Sequence, residues 1–302
     1  MKWLAFVTCP ACGGNFEPSA PPFVCAQCRR RFPHVGSSPA LLEAGDAGDL
    51  DALETDFDYG KRVERKPGLR FAYRDRRRNI ERRILEAHRA GIGRPLNVLD
   101  VGGGDPFRSA TSYHQRWKDL FHVCVVVEPS LPILRRSVPD EAIGMIQASG
   151  ELIPVRRDAF DVALCLSTLD HVRDPAAVLE QARLALVPGG RILLDLKNES
   201  AWFKPIARRV GGAVRARLED DHHPWRFSPR ELHDLLGRGG FVDVNLIDLH
   251  YCSELIPARL DVGRAVNRIL ARGLAALDVA GARLLPARGA AMIATARKPH
   301  AP

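Results

Sequence analysis

Apolar residues follow two rhythms along this chain, and the change between them divides it. From position 95 onward, short near-continuous apolar runs alternate with stretches in which apolar positions recur every three or four residues. Runs of the first kind predict strands at 96–101, 123–127, 144–147, 160–166, 191–196, 242–247 and 291–296. The first five carry few interior polar residues, as parallel strands covered on both faces do. Helical spacing occupies 131–137 and 175–186, the second with Ala177, Leu179, Ala182 and Leu186 ahead of Pro188-Gly189-Gly190, which stops it. Strands and helices in alternation predict an α/β, doubly wound sheet over 95–302.

Before position 95 the pattern is different. Residues 1–43 are rich in Cys, Pro, Phe and Arg, with Cys9-x2-Cys12 and Cys25-x2-Cys28 separated by twelve residues. Two such knuckles bring four thiolates to one tetrahedral ion, and Zn2+ is the metal expected. Gly13 and Gly14 supply a turn, and a unit this small has too little core to fold without its metal. His34 follows, but four cysteines already close a structural site. Residues 44–94 read as a Gly- and Asp-rich linker over 44–60, then basic amphipathic helix. Between 61 and 89 there are twelve Lys or Arg against four acids, with Phe71, Ile80, Ile84, Leu85 and Ala87 at helical spacing. That stretch fits a solvated helix face, a nucleic-acid groove or the mouth of an anionic-substrate site.

Composition narrows the class. With 302 residues, 46% hydrophobic and 26% charged, the chain can bury a sizeable core. The net charge of +8 points weakly to anionic partners. No apolar stretch reaches the length of a spanning helix, and the apolar run at 3–7 is too short for a signal peptide, so a cytoplasmic protein without a membrane partner is expected. Cys124, Cys165 and Cys252 stand singly in apolar runs and read as buried thiols.

Candidate chemistry gathers where the first strand of the sheet ends. Val98-Leu99-Asp100-Val101 breaks into Gly102-Gly103-Gly104, a turn that lets backbone approach a ligand, and Glu128 closes the next strand, where an acid accepts bonds from a ribose. A nucleoside site follows from the pair.

Six landmarks stand in order: Asp100-x-Gly102-x-Gly104, Glu128, Glu151-Leu152-Ile153-Pro154, Phe160-Asp161-Val162-Ala163-Leu164, Leu169-Asp170-His171-Val172 and Leu186-Val187-Pro188-Gly189-Gly190-Arg191. Together they resemble the class I S-adenosylmethionine-dependent methyltransferases, most closely the type 11 small-molecule branch. The resemblance implies a Rossmann-like, mostly parallel seven-stranded sheet. It implies that Gly102, Gly103 and Gly104 pass beneath the amino acid part of S-adenosylmethionine while Asp100 orders the turn and reaches its ammonium. Glu128 then takes the ribose hydroxyls, Ser149, Gly150 and Glu151 lie along the adenine, and Leu166 and Ser167 border the methyl group. Two positions depart from the family: Pro106 stands where glycine is usual, and Ser149 where aspartate is. Phe32-Pro33-His34-Val35 and Pro39-Ala40-Leu41-Leu42 resemble the tail of zinc ribbons that precede or partner methyltransferases.

Candidates for a general base are His171, past the fourth strand, and His222 and His223, ahead of Phe227-Ser228-Pro229-Arg230-Glu231-Leu232, which starts a capped helix. Insertions near 197–225 and 250–288 are the expected home of the acceptor, with Trp202, Phe203 and Trp225 available to line an apolar pocket. An apolar helical stripe from Leu255 to Leu277 either covers the sheet or meets a second subunit in a homodimer. The reading is a methyltransferase acting on a small molecule, using S-adenosylmethionine and holding Zn2+. Two rivals stand beside it: an rRNA or tRNA methyltransferase that binds RNA through ribbon and basic helix, and a noncatalytic scaffold that binds the cofactor without turnover.

Overall fold

The computed structural model describes residues 1–17, 23–42, 68–107, 112–210, 224–252, 256 and 260–300. The linker over 44–60 lies outside the described residues. A 3-10 turn, Lys2–Phe6, opens the chain, followed by the short strands β1 (Phe23–Val24), β2 (Arg31–Phe32), β3 (His34–Val35) and β4 (Ser38–Pro39). Then come α1 (Leu69–Ile92), β5 (Leu96–Val101), α2 (Tyr113–Trp117), β6 (Phe121–Val127), α3 (Leu131–Leu134), β7 (Ile143–Ile146), β8 (Phe160–Leu166) and α4 (Pro175–Ala185). The rest is β9 (Leu186–Lys197), α5 (Lys204–Val210), α6 (Pro229–Arg238), β10 (Val242–Leu249), α7 (Arg264–Leu284) and β11 (Ala291–Arg297).

Seven strands form one sheet in the order β10-β11-β9-β8-β5-β6-β7. Strands β5 to β9 pair in parallel, and β11 runs antiparallel between β9 and β10. This mostly parallel, seven-stranded sheet is the one the resemblance implies, and its strands are those the periodicity predicts. From β5 the chain winds outward through β6 and β7, then returns to lay β8 on the other side. The carboxyl ends of β5 and β8 therefore flank a topological switch point, where open α/β sheets hold their ligands.

Period-two alternation splits the apolar residues between two layers. Leu99, Val101, Val123, Val125 and Val127 face Val178, Leu179 and Ala182 of α4, Leu232 and Leu236 of α6, and Trp3 and Leu4 of the first turn. Val98, Cys124, Val126 and Met145 face Leu85 of α1, Trp117, and Ile133 and Leu134 of α3. Helix starts carry local caps. Asp174 accepts from the amides of Ala176 and Ala177, and Ser228 with Glu231 forms the capping box expected of the Phe227-Ser228-Pro229 segment. At the amino end of the sheet, Arg94 grips the buried Asp161 through two bonds of 2.8 Å, tying the approach to β5 onto β8.

Three details depart from the sequence pattern. Helix α4 ends at Ala185, and β9 already pairs at Leu186, so Pro188-Gly189-Gly190 sits within the first part of a strand, with Gly189 at φ 82°. The stripe on α7 does not cover the sheet: Ala271 and Leu274 pack with Leu69 and Tyr73 of α1, outside the layer α1 itself forms. The ribbon, finally, shares the core of the sheet. Leu41 N–H donates to the Gln147 carbonyl and Gln147 N–H to the Pro39 carbonyl, so the tail of the ribbon covers the open edge beside β7. Ser37 and Ser38 both bond Ser137 Oγ, and Trp3, 2% exposed, lies flat against Gly144 of β7.

That last contact is testable. Any Cβ at position 144 would enter the Trp3 indole, so Gly144→Ala should lower the unfolding free energy by about 1–3 kcal/mol, measured by urea denaturation.

Candidate functional site

The carboxyl end of β5 becomes a bare backbone turn. Gly102 and Gly104 both adopt φ 67°, and a Cβ on Gly102 would meet Thr168 Oγ1 at 2.7 Å. A Cβ on Gly103 would meet Asp100 Oδ2 at 2.5 Å and Val126 at 2.8 Å. Side chains at Gly102 and Gly103 are thus excluded by Thr168, Asp100 and Val126, which leaves backbone to face a ligand. Glu128, at the end of β6, holds the turn from the neighbouring strand: its Oε2 accepts Gly104 N–H at 3.0 Å and its Oε1 accepts Ser130 N–H at 3.0 Å. Glycine turn and acid, read separately from the sequence, form one hydrogen-bonded unit.

Asp100 lies beneath this turn, fully buried. Its Oδ2 accepts Tyr113 Oη–H and is 2.6 Å from both that oxygen and His114 Nε2, while its Oδ1 has no partner among the described residues. A buried carboxylate oxygen with an unmet bond, below backbone that excludes side chains, fits an ammonium group lying over the turn. Tyr113 and His114 were not legible in the sequence. They sit on α2, a five-residue helix with no apolar period and only the Ser112 cap to announce it. Burial and then the Asp100 charge push the Tyr113 phenol well above its ordinary range. The Arg78 guanidinium stacks 4.8 Å over its ring.

The loop after β7 carries Ser149, Gly150 and Glu151. Gly150 is closely packed, since a Cβ there would sit 3.0 Å from Val101 and 3.3 Å from Val178. Ser149 Oγ–H donates to the Glu151 carboxylate, whose Oε1 accepts the Arg173 amide at 2.9 Å. The serine that replaces the family's aspartate therefore carries a carboxylate at one remove. Pro106, the other departure, offers its carbonyl to Ser112 Oγ at 3.0 Å and Gln115 Nε2 at 3.1 Å, which fixes the start of α2.

Leu166, the last residue of β8, is buried, and Ser167 just past it is exposed, in the left-handed region at φ 57°. Strain of this kind needs surroundings that impose it. Ser167 N–H donates to the Asp195 carbonyl at 3.0 Å and its Oγ donates to Asp195 Oδ1 at 2.6 Å. Asp195, on β9, also meets Arg77 Nε at 3.3 Å and Arg78 Nη1 at 3.1 Å; Arg78 Nη1 donates in turn to the buried Glu81 at 2.9 Å. Arg82 binds Asp119 and Glu86. Arginines of the basic helix are thus engaged with carboxylates of the sheet layer and of their own helix. Their one trace in the sequence was Asp195, an acid inside an apolar strand.

The base candidates separate. His171 is 27% exposed, its amide closing a turn on the Thr168 carbonyl and its Nε2 3.9 Å from Asp170 Oδ1. His222 and His223 lie outside the described residues. Trp202 Nε1–H donates to the Tyr251 carbonyl and Trp225 Nε1–H to the Val172 carbonyl, both at 2.8 Å, and Phe203 meets the Trp202 ring edge-on. A cavity of about 300 Å³ nearby is polar, between Glu199, Lys204, Glu231 and Arg288.

In the ribbon, the Sγ atoms of Cys9, Cys12, Cys25 and Cys28 all lie within 4.8 Å of one another. Cys9 and Cys28 are 3.7 Å apart and Cys12 and Cys25 3.5 Å, against about 3.8 Å for the edge of a zinc tetrahedron with bonds of about 2.3 Å. The Cys28 amide, donating to Cys25 Sγ, draws that thiol down to about 6, whereas burial raises Cys9 to about 12. All seven cysteines are free of disulfides.

Residues 71–246 match a family described as a methyltransferase domain. A ubiquinone biosynthesis O-methyltransferase of Cereibacter sphaeroides (strain KD131 / KCTC 12085) is 32% identical over 108 residues, 34% of this chain and 43% of that one. Its counterpart in Photorhabdus laumondii is 26% identical over 164 residues, 51% of this chain and 65% of that one. The match spans less than two thirds of either relative. Among solved structures, an S-adenosylmethionine-dependent methyltransferase from Archaeoglobus fulgidus superposes with a TM-score of 0.48 at 17% identity, covering 73% of this chain and 94% of that one.

The carboxylates around Arg78 give a pH signature. Burial pushes Glu81 from its ordinary 4.5 up to about 8 despite Arg78 beside it. Asp195, against the effect of burial, is held well below the carboxylate range by Arg77 and Arg78. Because Glu81 keeps its proton only when folded, its contribution is complete below about 4.5 and is lost as pH rises to about 8. Asp195 contributes in the opposite sense, losing its share only in acid. Glu81→Gln should therefore flatten the fall in unfolding free energy from about pH 5 to about 8, read from urea midpoints at stepped pH.

Proposed function

The chain belongs to the methyltransferase-domain family, and on that premise we propose that it moves a methyl group from S-adenosylmethionine to a small-molecule acceptor. One observation carries the reading: the unpartnered Oδ1 of buried Asp100, below a turn from which Gly102 and Gly103 exclude every side chain. Those residues fit the cofactor. Asp100 would receive its ammonium above the turn and Glu128 its ribose hydroxyls, while Ser149, Gly150 and Glu151 flank the adenine. Bound there, S-adenosylmethionine supplies an electrophilic methyl on a sulfonium.

What the chain itself must do is hold a nucleophile in line with that methyl and keep water away. Ser167 and Arg77 stand where the acceptor enters, at the exit of β8, and Arg77 Nη2 donates to Ser167 Oγ at 3.3 Å. His171, His222 and His223 remain the groups available to take a proton if the acceptor is a hydroxyl. An O-methyl acceptor is in keeping with the named relatives. Arg77, Arg78 and Arg82 are bound to carboxylates, which supports the small-molecule reading over the RNA one. Cys9, Cys12, Cys25 and Cys28 would hold one structural Zn2+ that braces the ribbon against β7. The protein is expected in the cytoplasm; among the described residues no helix is long and apolar enough to cross a membrane.

Calorimetric titration with S-adenosylmethionine tests the cofactor site. The folded chain should bind it, Glu128→Ala should weaken binding about 10–100-fold, and a folded chain without affinity would sink the reading. Transfer of labelled methyl groups to a panel of phenols and amines separates turnover from a scaffold that binds only. Metal analysis should find one zinc per chain; Cys9→Ser with Cys28→Ser should abolish it and lower the melting temperature.

A further inference from the structure

Helix α7 presents an outer face that nothing described covers. Its inner face is Asn267, Ala271, Ala275 and Asp278, held against α1, where the Tyr73 hydroxyl donates to the Asp278 carboxylate. Outward, Val266, Leu270, Leu277 and Leu284 recur at helical spacing, joined by Ile269, and all are exposed, Ile269 by 66% and Leu284 by 78%. Val262 and Leu285 prolong the strip beyond both ends of the helix. So many large apolar groups on one exposed face mark a docking surface.

The charges say what docks. Arg264, Arg268 and Arg272 follow one another at intervals of four, and Arg283 returns to the same side three turns later. All four are exposed; Arg272 and Arg283 border the apolar face beside Ile269, and Arg268 and Arg264 continue that basic side around the helix. The only acid in the helix, Asp278, points inward. A second copy of the chain would bring the same uncompensated arginines to the same seam. An anionic bilayer surface complements both halves, with the apolar strip entering the boundary of headgroups and acyl chains and the arginines meeting lipid phosphates. The net charge of +8 favours the same encounter.

We propose that the outer face of α7 docks this protein on an anionic membrane surface. The contact is peripheral, differs in kind from a spanning helix, and departs from the expectation, drawn from the sequence, of a protein without a membrane partner. It also orients the site: α7 rests on Tyr73, one turn before Arg77, the residue that reaches Ser167 at the exit of β8.

Co-sedimentation of the full chain with vesicles tests this independently of methyl transfer. Vesicles of phosphatidylcholine with phosphatidylglycerol should carry down about tenfold more protein than phosphatidylcholine alone, and added salt should weaken the binding. Leu270→Gln with Leu277→Gln leaves the charge unchanged and should reduce that binding about tenfold, with melting temperature and S-adenosylmethionine affinity retained. Failure to sediment with anionic vesicles would overturn the proposal. So would undiminished binding by the double variant, which would leave only a generic attraction for a basic protein. A dimer in light scattering that the double variant dissociates, without vesicle binding, would assign the face to a second copy instead.

Discussion

Burial of the Asp100 carboxylate organises the active half of this molecule. A charge at the end of a parallel strand, sealed from water, requires hydrogen-bond donors, and α2 supplies two in succession, Tyr113 and His114. Tyr113 then receives the guanidinium of Arg78 over its ring, and Arg78 in turn binds Asp195 and Glu81. Asp195 positions Ser167. A continuous polar path thus runs from β5 through α2 and α1 to β9 and back to the exit of β8. The two ends of that path are the two sides of the crevice. Packing alone would hold the sheet together; this path determines where its polar groups point.

The basic helix takes its meaning from the same path. Counted along the sequence, its arginines look like a surface for an anionic partner. In three dimensions Arg77 and Arg78 meet acids carried by the sheet layer or their own helix, and Arg82 meets Asp119 and Glu86. A buried ion cluster contributes little net stability when complete, but loss of one member is costly because the remaining charge is stranded. The cluster therefore specifies the angle and register of α1 on the sheet more than it strengthens the fold.

How much of this was legible in the sequence depends on the range of the interaction. Apolar period and local turn chemistry are short-range, so the seven strands, the knuckles of Cys9 to Cys28, the Ser228 cap and the turn at Gly102 to Gly104 could all be read directly. Glu128 could be placed because a strand end is a local feature too. What escaped were side chains whose partners lie far along the chain: Arg78 with Asp195, His114 with Asp100, and Trp3 with Gly144. The anchoring of Trp202 and Trp225 escaped for a related reason. An indole N–H seeks an acceptor once partly buried, and here backbone carbonyls supplied it.

The main-chain bonds between the ribbon and Gln147 bear on how this protein can be cut. Strand β7 ends the sheet, and just past it the N–H and carbonyl of Gln147 are paired with Pro39 and Leu41 of the ribbon, while Trp3 fills the hollow above Gly144. A fragment beginning at the first strand of the sheet would keep all seven strands and the glycine turn. It would also display a raw strand edge beside an empty apolar hollow, two residues from Ser149. Such a fragment would present a template for strand addition by other chains, and its first observable property would be aggregation rather than altered chemistry.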